Sequence, residues 1–355
     1  YCLGSEEEIP SNSAARIWYE KQSAQDRTGF FKILDEVFDE WAVKGGWIGR
    51  IPGAGDLAEF PDGPMAAMPA WLRGKQTPFS WFKRNWEVFC SNSDSANWHN
   101  VLPHQRWADW GSCLLRTAMG LCFLWESKFY MEVGRWLLEE APGEGLSSIF
   151  NSRWRLLEWK PSNLSLTEKN QYEAIRLPIF KGTVVREFLK GLIKDEDAGG
   201  LVTGNREDPG NLDKIGRWLR GLLEKAPTLR EELGTAFRKP EAAEGKSTAK
   251  NTYETVLYSL LSRDEIGRSA DFYGVLVTRS RRFRVVEPGK EWIVVLASLQ
   301  AGGPREQTLL SDLRASLSEL CIGVSRDTLI LELERAGLSR SAHDADDAII
   351  VNSGF

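Results

Sequence analysis

The longest stretch of apolar residues at helical spacing lies between Pro103 and Pro142. Its apolar positions fall on more than one face of a helix, which is typical of a helix that is buried on several sides. Arg116 and Glu126 interrupt the run, whereas a membrane-spanning helix needs about 18 apolar residues in succession. The pattern therefore predicts a long buried helix at the centre of an α-helical domain, and no contact with a membrane.

Shorter helical patterns flank this stretch. Phe30, Leu34 and Phe38 recur at helical spacing near the start of the chain. Further helices are predicted at 169–195, 212–226, 228–239 and 252–267. The segment 196–210 is polar and rich in glycine, and we interpret it as a loop or linker. We therefore expect a mostly α fold with a helical N-terminal domain over residues 1–195.

The pattern changes to period two at residues 274–286, GVLVTRSRRFRVV. Two short apolar runs flank a polar, basic tip at residues 278–282, which predicts a β-hairpin. Alternation along the strands would turn Leu276, Phe283 and Val285 towards the core.

Three predicted helices followed by this hairpin have the element order of a winged helix-turn-helix. The hairpin resembles the wing of that family, and the following EPGKEW resembles a proline-glycine turn into a closing helix. The resemblance covers residues 211–299, and it implies a small α+β module whose wing can contact DNA.

A second module that resembles a winged helix follows at residues 304–355. Ser311 to Leu320 is predicted to form one helix, and Ser325 is a plausible N-cap for the next. That second helix takes the place of the recognition helix and is predicted to end at Gly337. The final AIIVNSGF resembles the last strand of a wing. The fold that we expect is thus a helical N-terminal domain followed by two winged-helix modules.

Charge separates the expected roles of the two modules. The chain has a formal net charge of −5, so any contact with nucleic acid must be local. The candidate DNA-contacting residues are the arginines of the first wing: Arg279, Arg281, Arg282 and Arg284. A basic tip of this kind can lie along phosphates or enter a narrow minor groove. Two alternatives are a grip on an acidic partner protein and a plain solvated hairpin tip.

The second module is acidic where a DNA reader would be basic. Its candidate partner-binding residues are Asp327, Glu332, Glu334, Asp344, Asp346 and Asp347, against Arg326 and Arg335 on the same helix. A duplex would repel such a face. We therefore expect this module to dock onto a protein.

Tryptophan is concentrated in the first half of the chain. Of the 15 tryptophans, all but Trp218 and Trp292 lie at or before Trp159. We expect them to fill the core or an interface, where tryptophan is enriched. The alternative is a stacking platform for single-stranded nucleic acid around residues 81–86, WFKRNW.

No motif in the sequence points to catalysis, a cofactor or a metal. The five cysteines are scattered, which indicates a reducing compartment, and we expect a cytoplasmic protein. Cys90, His99, His104 and Cys113 have the residue types of a zinc site, but no cysteine has a second ligand at the usual close spacing. A nucleophilic pair of Cys113 and His104 would need a third, orienting group.

Together these patterns predict a non-enzymatic, DNA-associated subunit of a larger complex. The first winged helix would contact double-stranded DNA, and the last one would contact a protein partner. By analogy, assemblies of bacterial defence or genome maintenance contain subunits of this kind. A pure protein scaffold is the alternative from a different class, and an enzyme whose site leaves no sequence signature is a third.

Overall fold

The computed structural model of this protein describes residues 76–90, 98–140, 145–195, 211–239, 247–262, 271–339 and 349–355. All of these residues belong to one compact unit. The helix predicted around Phe30, the predicted linker at 196–210 and the acidic residues Asp344, Asp346 and Asp347 lie outside the described ranges.

The described chain is mostly helical, as predicted. Its helices are α1 (Pro78–Phe89), α2 (Trp98–Val101), α3 (His104–Leu138), α4 (Leu146–Asn151), α5 (Leu166–Lys169), α6 (Tyr172–Asp195), α7 (Asn211–Lys225), α8 (Pro227–Arg238), α9 (Ser247–Leu260), α10 (Lys290–Ala301), α11 (Leu310–Glu319) and α12 (Arg326–Arg335). Its strands are β1 (Leu157–Trp159), β2 (Leu276–Arg279), β3 (Phe283–Val286), β4 (Gln307–Leu309), β5 (Ile322–Val324) and β6 (Ile350–Asn352).

Helix α3 is the long buried helix that the apolar pattern predicts. It has 35 residues, and α1, α6 and α9 pack along it. Leu114, Leu121 and Trp125 are all buried. Because neighbours cover several of its sides, apolar residues occur on more than one face.

Two arginines from other helices close the C-terminal end of α3. Arg220 of α7 donates hydrogen bonds to the carbonyl oxygens of Glu139 and Glu140 at 3.2 and 3.0 Å. Arg230 of α8 donates to the carbonyl oxygen of Leu138 at 3.0 Å. The last carbonyls of a helix have no partner within it and carry the negative end of its dipole, so cations there are stabilising.

Helices α7, α8 and α9, which were predicted to begin the first winged helix, pack on the N-terminal helices. Helix α7 lies on α4 and α8, helix α8 lies on α6 and α3, and α9 lies between α3 and α6. Within the described residues, these helices and the N-terminal helices thus share one core.

The local features predicted for the C-terminal module are confirmed. Ser325 caps α12 by accepting a hydrogen bond from the backbone N–H of Thr328 at 3.2 Å. Gly337 follows α12 with φ of 75°, and the N–H of Leu338 reaches the carbonyl oxygen of Leu333 at 2.9 Å. This geometry is a Schellman motif, in which glycine takes the left-handed position.

Helix α10 belongs to the C-terminal part of the molecule. It packs against α11, β4 and β6, and β4 pairs with β6 antiparallel. The sequence instead assigned this segment to the first module as its closing helix. Residues 290–355 therefore form a helix–strand–helix–helix–strand order that begins at α10, with β5 inserted between α11 and α12.

Contacts of several kinds join this C-terminal part to the N-terminal helices. Strand β5 pairs with β1 in parallel, with Glu158 opposite Gly323. Trp81 Nε1 donates to Oγ of Ser316 at 2.6 Å, and Phe355 stacks edge-on against Trp110 with ring centroids 5.7 Å apart. Within the described residues the predicted modules therefore do not stand apart from the N-terminal helices.

The tryptophans of the first half that the structure describes lie in the core, as expected, apart from Trp154, which is partly buried. Trp81 and Trp86 are 0% and 1% exposed, so a nucleic-acid base cannot stack on them. The alternative of a stacking platform at residues 81–86 is wrong for these two side chains. Trp125, at the centre of α3, is surrounded by the rings of Phe79, Phe129, Phe150 and Trp154.

Candidate nucleic-acid interface

The predicted β-hairpin is present and is anchored at its base. Strands β2 and β3 pair antiparallel, with Leu276 opposite Val286 and Val277 opposite Val285. All four of these side chains are buried. On its outer edge, β3 is bound by the segment before α6, because the N–H of Gln171 donates to the carbonyl oxygen of Arg284 at 2.6 Å. The hairpin therefore has a fixed base and a free tip.

The tip has a strained backbone. Ser280 and Arg281 have φ of 48° and 62°, in the left-handed region that non-glycine residues rarely adopt. The N–H of Arg282 closes the turn on the carbonyl oxygen of Arg279 at 3.3 Å. Left-handed backbone at a non-glycine residue costs on the order of 1 kcal/mol or more, so the surrounding ladder must hold this turn in place.

Arg281 and Arg282 are the exposed arginines of the tip. The guanidinium of Arg282 lies over the ring of Phe283, 4.7 Å from its centroid. Phe283, predicted to face the core, is only partly buried and supports this arginine. Arg281 and Arg282 thus present positive charge to the solvent.

Arg279 lies on the side of the hairpin but is part of an ion-pair network. Its Nε donates to Glu287 Oε2 at 3.0 Å, and Lys169 Nζ reaches Glu287 Oε1 at 3.2 Å. The Lys169 side chain is 8% exposed. The carboxylate of Glu287 thus partly neutralises both Arg279 and Lys169. Arg279 therefore attracts an anionic ligand less strongly than an unpaired arginine would.

Strand alternation separates Arg284 from Arg279. Arg284 lies opposite Thr278, whereas Arg279 lies opposite Phe283, so the two arginines are on opposite faces of the hairpin. The Arg284 side chain is partly buried. Its Nε and Nη1 atoms are shielded from solvent and have no hydrogen-bond partner.

The four candidate arginines therefore do not form one cluster. The structure brings Arg281 and Arg282 together at the tip and separates Arg279 and Arg284. Strand alternation contained the signal for the separation of Arg279 from Arg284. Glu287 and Lys169, which decide the charge of Arg279, were missed: Lys169 lies 118 residues from Glu287 along the chain, and no short-range rule links positions so far apart.

The described acidic candidates of the C-terminal part lie on α12. Asp327 and Glu334 are exposed, whereas Glu332 pairs with Arg335 at 2.6 Å. An apolar pair lies elsewhere on this part of the molecule, since Leu309 and Ile350 are cross-strand partners that are 43% and 49% exposed.

Cysteine chemistry has little support from the geometry. Cys113 is buried, and burial raises the pKa of its thiol to about 12, so the reactive thiolate is scarce at neutral pH. The side chains of His99 and His104 lie outside the described part of the structure. Within that part, no group of three histidine, cysteine, aspartate or glutamate side chains is arranged to hold a metal ion.

The helices of the described ranges include none with the length and hydropathy of a membrane span. Comparison of the chain with family models, curated proteins and solved structures found no match.

Proposed function

We propose that this chain binds double-stranded DNA through the tip of the β2–β3 hairpin, as a non-enzymatic subunit of a larger complex. The observation that carries the proposal is the exposure of Arg281 and Arg282 on a hairpin whose base is buried and hydrogen-bonded on both edges. A fixed base and two exposed arginines suit contact with a phosphate backbone, because arginine pairs with phosphate in a bidentate manner.

The proposed contact is small and local. The net charge of −5 gives the rest of the chain no general attraction for DNA. Two phosphate contacts would give a salt slope of about −1.8 on a logarithmic scale, since each contributes roughly 0.9. The hairpin would thus orient the subunit on a duplex, and its partners would add affinity.

The C-terminal part supports the resemblance to a winged helix by its element order. The sequence helix α10, strand β4, helices α11 and α12, and strand β6, with β4 paired to β6, is similar to the order of that superfamily. In this order α12 corresponds to the recognition helix, and its Asp327 and Glu334 are exposed. We propose that this part docks onto a protein with a basic patch, because opposite charge steers such partners.

A pure scaffold with no DNA contact is the second candidate function. The observation in its favour is the exposed apolar pair of Leu309 and Ile350, since exposed apolar side chains that cluster mark interaction surfaces. Salt dependence separates the two candidates, because only DNA binding releases counterions from a phosphate backbone.

The experiment measures the affinity of the full chain for a fluorescent duplex between about 50 and 200 mM salt. The test variant is Arg281→Glu/Arg282→Glu. The matched control is Lys225→Glu/Lys239→Glu, which makes the same charge change at two exposed lysines at the ends of α7 and α8.

We expect the tip variant to bind the duplex more weakly and with a salt slope smaller in magnitude by about 1 or more, and the control to retain the wild-type slope. Equal slopes in all three proteins would remove the hairpin from the interface and favour the scaffold. Both variants should melt like the wild type, since the substituted side chains are exposed.

A further inference from the structure

A surface groove of about 600 Å³ is lined by the C-terminal end of α3 and by α7 and α8. Binding sites for small molecules have volumes of roughly 300–1,000 Å³, so the groove is large enough to hold a ligand. It shares no residue with the β2–β3 hairpin or with α12. Its role therefore does not depend on the proposed function.

Two leucines and a glycine give the groove an apolar surface. Leu138 and Leu223 line it, and both pack into the core of the N-terminal helices, where Leu223 is buried and Leu138 is partly buried. A methyl group at Gly234 would lie 3.5 Å from Leu138 Cδ2 and 3.7 Å from Arg238 Nη2, which are ordinary van der Waals distances. The packing of α8 thus does not require a glycine here, and the missing side chain leaves the helix backbone open to a ligand.

Charged side chains of opposite sign lie towards the two ends of the groove. Glu224 is in the last turn of α7 and Glu231 is in the second turn of α8, whereas Arg238 is the last residue of α8. Glu231 and Arg238 lie on the same face of α8, two turns apart, which corresponds to about 10 Å along the helix axis. The groove therefore has an acidic end and a basic end.

These charges are available to a ligand. Within the described residues, Glu224, Glu231 and Arg238 form no ion pair, and all three side chains are exposed. Arg230 also lines the groove, but it donates to the carbonyl oxygen of Leu138 at 3.0 Å, so its charge offsets the negative end of the α3 dipole. Two carboxylates at one end and one guanidinium at the other thus remain for a ligand.

We propose that this groove binds a short apolar peptide with a free amino group and a free carboxylate. The ammonium group lies at the acidic side chains Glu224 and Glu231, and the carboxylate pairs with the guanidinium of Arg238. An extended tripeptide spans about 10 Å, which matches the separation of the two charged ends. The apolar side chains of the peptide contact Leu138 and Leu223, and the charges at its ends fix its direction in the groove.

The experiment measures the affinity of the full chain for trileucine by titration calorimetry at low salt. Two matched peptides each lack one charge: acetylated trileucine has no ammonium group, and trileucine amide has no carboxylate. We expect each of them to bind the wild type about two- to fivefold more weakly than trileucine, the range for one exposed charge contact.

Single substitutions assign each end of the peptide to its side chain. Arg238→Met should weaken trileucine and acetylated trileucine about two- to fivefold and leave the affinity for trileucine amide unchanged, because the amide has no carboxylate to lose. Glu224→Gln should do the reverse and spare only acetylated trileucine. The matched control is Arg217→Met, which removes an exposed arginine of α7 outside the groove and should bind all three peptides like the wild type.

Gly234→Ala tests whether the peptide lies against the backbone of α8. Alanine favours a helix more than glycine does, so this variant should melt about 2 °C higher than the wild type. Its methyl group takes the space of the peptide, so trileucine should bind at least about tenfold more weakly, as when extra atoms are forced into a packed contact. The matched control is Gly221→Ala in α7, where an added methyl group meets no atom within 4 Å; it should gain the same stability and keep the wild-type affinity.

No measurable binding of trileucine at millimolar concentration would overturn the proposal. Equal affinities for the three peptides would also overturn it, because the charges would then play no part. If acetylated trileucine bound as tightly as trileucine, the groove would be a site for a simple apolar anion and not for a peptide with free ends. Wild-type affinity of Gly234→Ala for trileucine would place the peptide elsewhere on the molecule.

Discussion

Trp292 Nε1 donates a hydrogen bond to Oγ1 of Thr117 at 2.9 Å, and both side chains are 1% exposed. The bond joins α10 of the C-terminal part to α3, the long buried helix. Because β5 also pairs with β1, deleting residues 304–355 would open the core as well as remove a docking module. Single substitutions are therefore the sharper way to separate folding from binding.

Thr117→Val should lower the free energy of unfolding by about 1–3 kcal/mol, because it leaves the buried indole N–H of Trp292 without its acceptor. Valine has nearly the shape of threonine, so little of the loss comes from packing. Chemical denaturation measures the change. Thr235→Val, at an exposed position of α8, is the control and should change stability by no more than about 0.5 kcal/mol. A stable Thr117→Val protein would show that the bond contributes little.

Trp125→Ala should cost about 3–5 kcal/mol, the range for deleting a buried large aromatic side chain. Trp125 is 3% exposed and touches four aromatic rings. The check is a denaturant or thermal melt, with duplex binding measured on the folded fraction. If the variant melted like the wild type but no longer bound DNA, Trp125 would face a ligand and not the core.

Local sequence signals predicted the long helix α3 and the hairpin correctly. The N-cap of α12 at Ser325 and its glycine stop at Gly337 are confirmed, because both depend on residues within one turn. The pairing of β1 with β5 was not predicted. Strands of three residues are too short for a period-two pattern, and their partners are far apart along the chain.

The candidate interface was predicted at the level of the hairpin but not of each arginine. Composition placed four arginines in one run, whereas the fold pairs Arg279 with Glu287 and places Arg284 on the opposite face of the hairpin. Which arginine is neutralised depends on tertiary neighbours. Arg281 and Arg282 are exposed because they lie in the turn at the tip, so their exposure could be predicted from the sequence.

Neutralising the exposed acids of α12 should leave DNA binding intact and weaken attraction to a basic partner. The variant is Asp327→Asn/Glu334→Gln, and a fluorescent oligolysine peptide serves as the basic probe. Two exposed charge contacts are worth about 0.2–1 kcal/mol each, so we expect oligolysine affinity to fall about twofold to tenfold at low salt, with duplex affinity unchanged or slightly higher.

The control for that variant is Glu231→Gln/Glu232→Gln, at exposed positions of α8, which removes the same amount of charge. An equal loss of oligolysine affinity in the control would mean that this affinity depends on the net charge of the protein and not on α12. A fall in duplex affinity in the α12 variant would place α12 on the DNA and reverse the roles of the two parts of the molecule.

Arg281→Gly should raise the stability of the fold and lower its affinity for DNA. Arg281 has φ of 62°, where a side chain costs roughly 1–2 kcal/mol, and glycine removes that cost. Glycine also adds flexibility to the unfolded chain, worth about 0.5–1 kcal/mol, so the expected net gain in the free energy of unfolding is about 0.5–1 kcal/mol.

Arg282→Gly is the matched control, because Arg282 is the next residue of the tip and is not among the residues with positive φ. Arg282→Gly should lose about 0.5–1 kcal/mol of stability. Its affinity for DNA should fall by about as much as that of Arg281→Gly. Chemical denaturation and duplex titration on the two variants test both statements. Opposite signs in stability with equal losses in binding would show that the fold tolerates a strained backbone at Arg281 in order to present this arginine. A less stable Arg281→Gly protein would instead mean that the turn is not strained and that the arginine stabilises the hairpin.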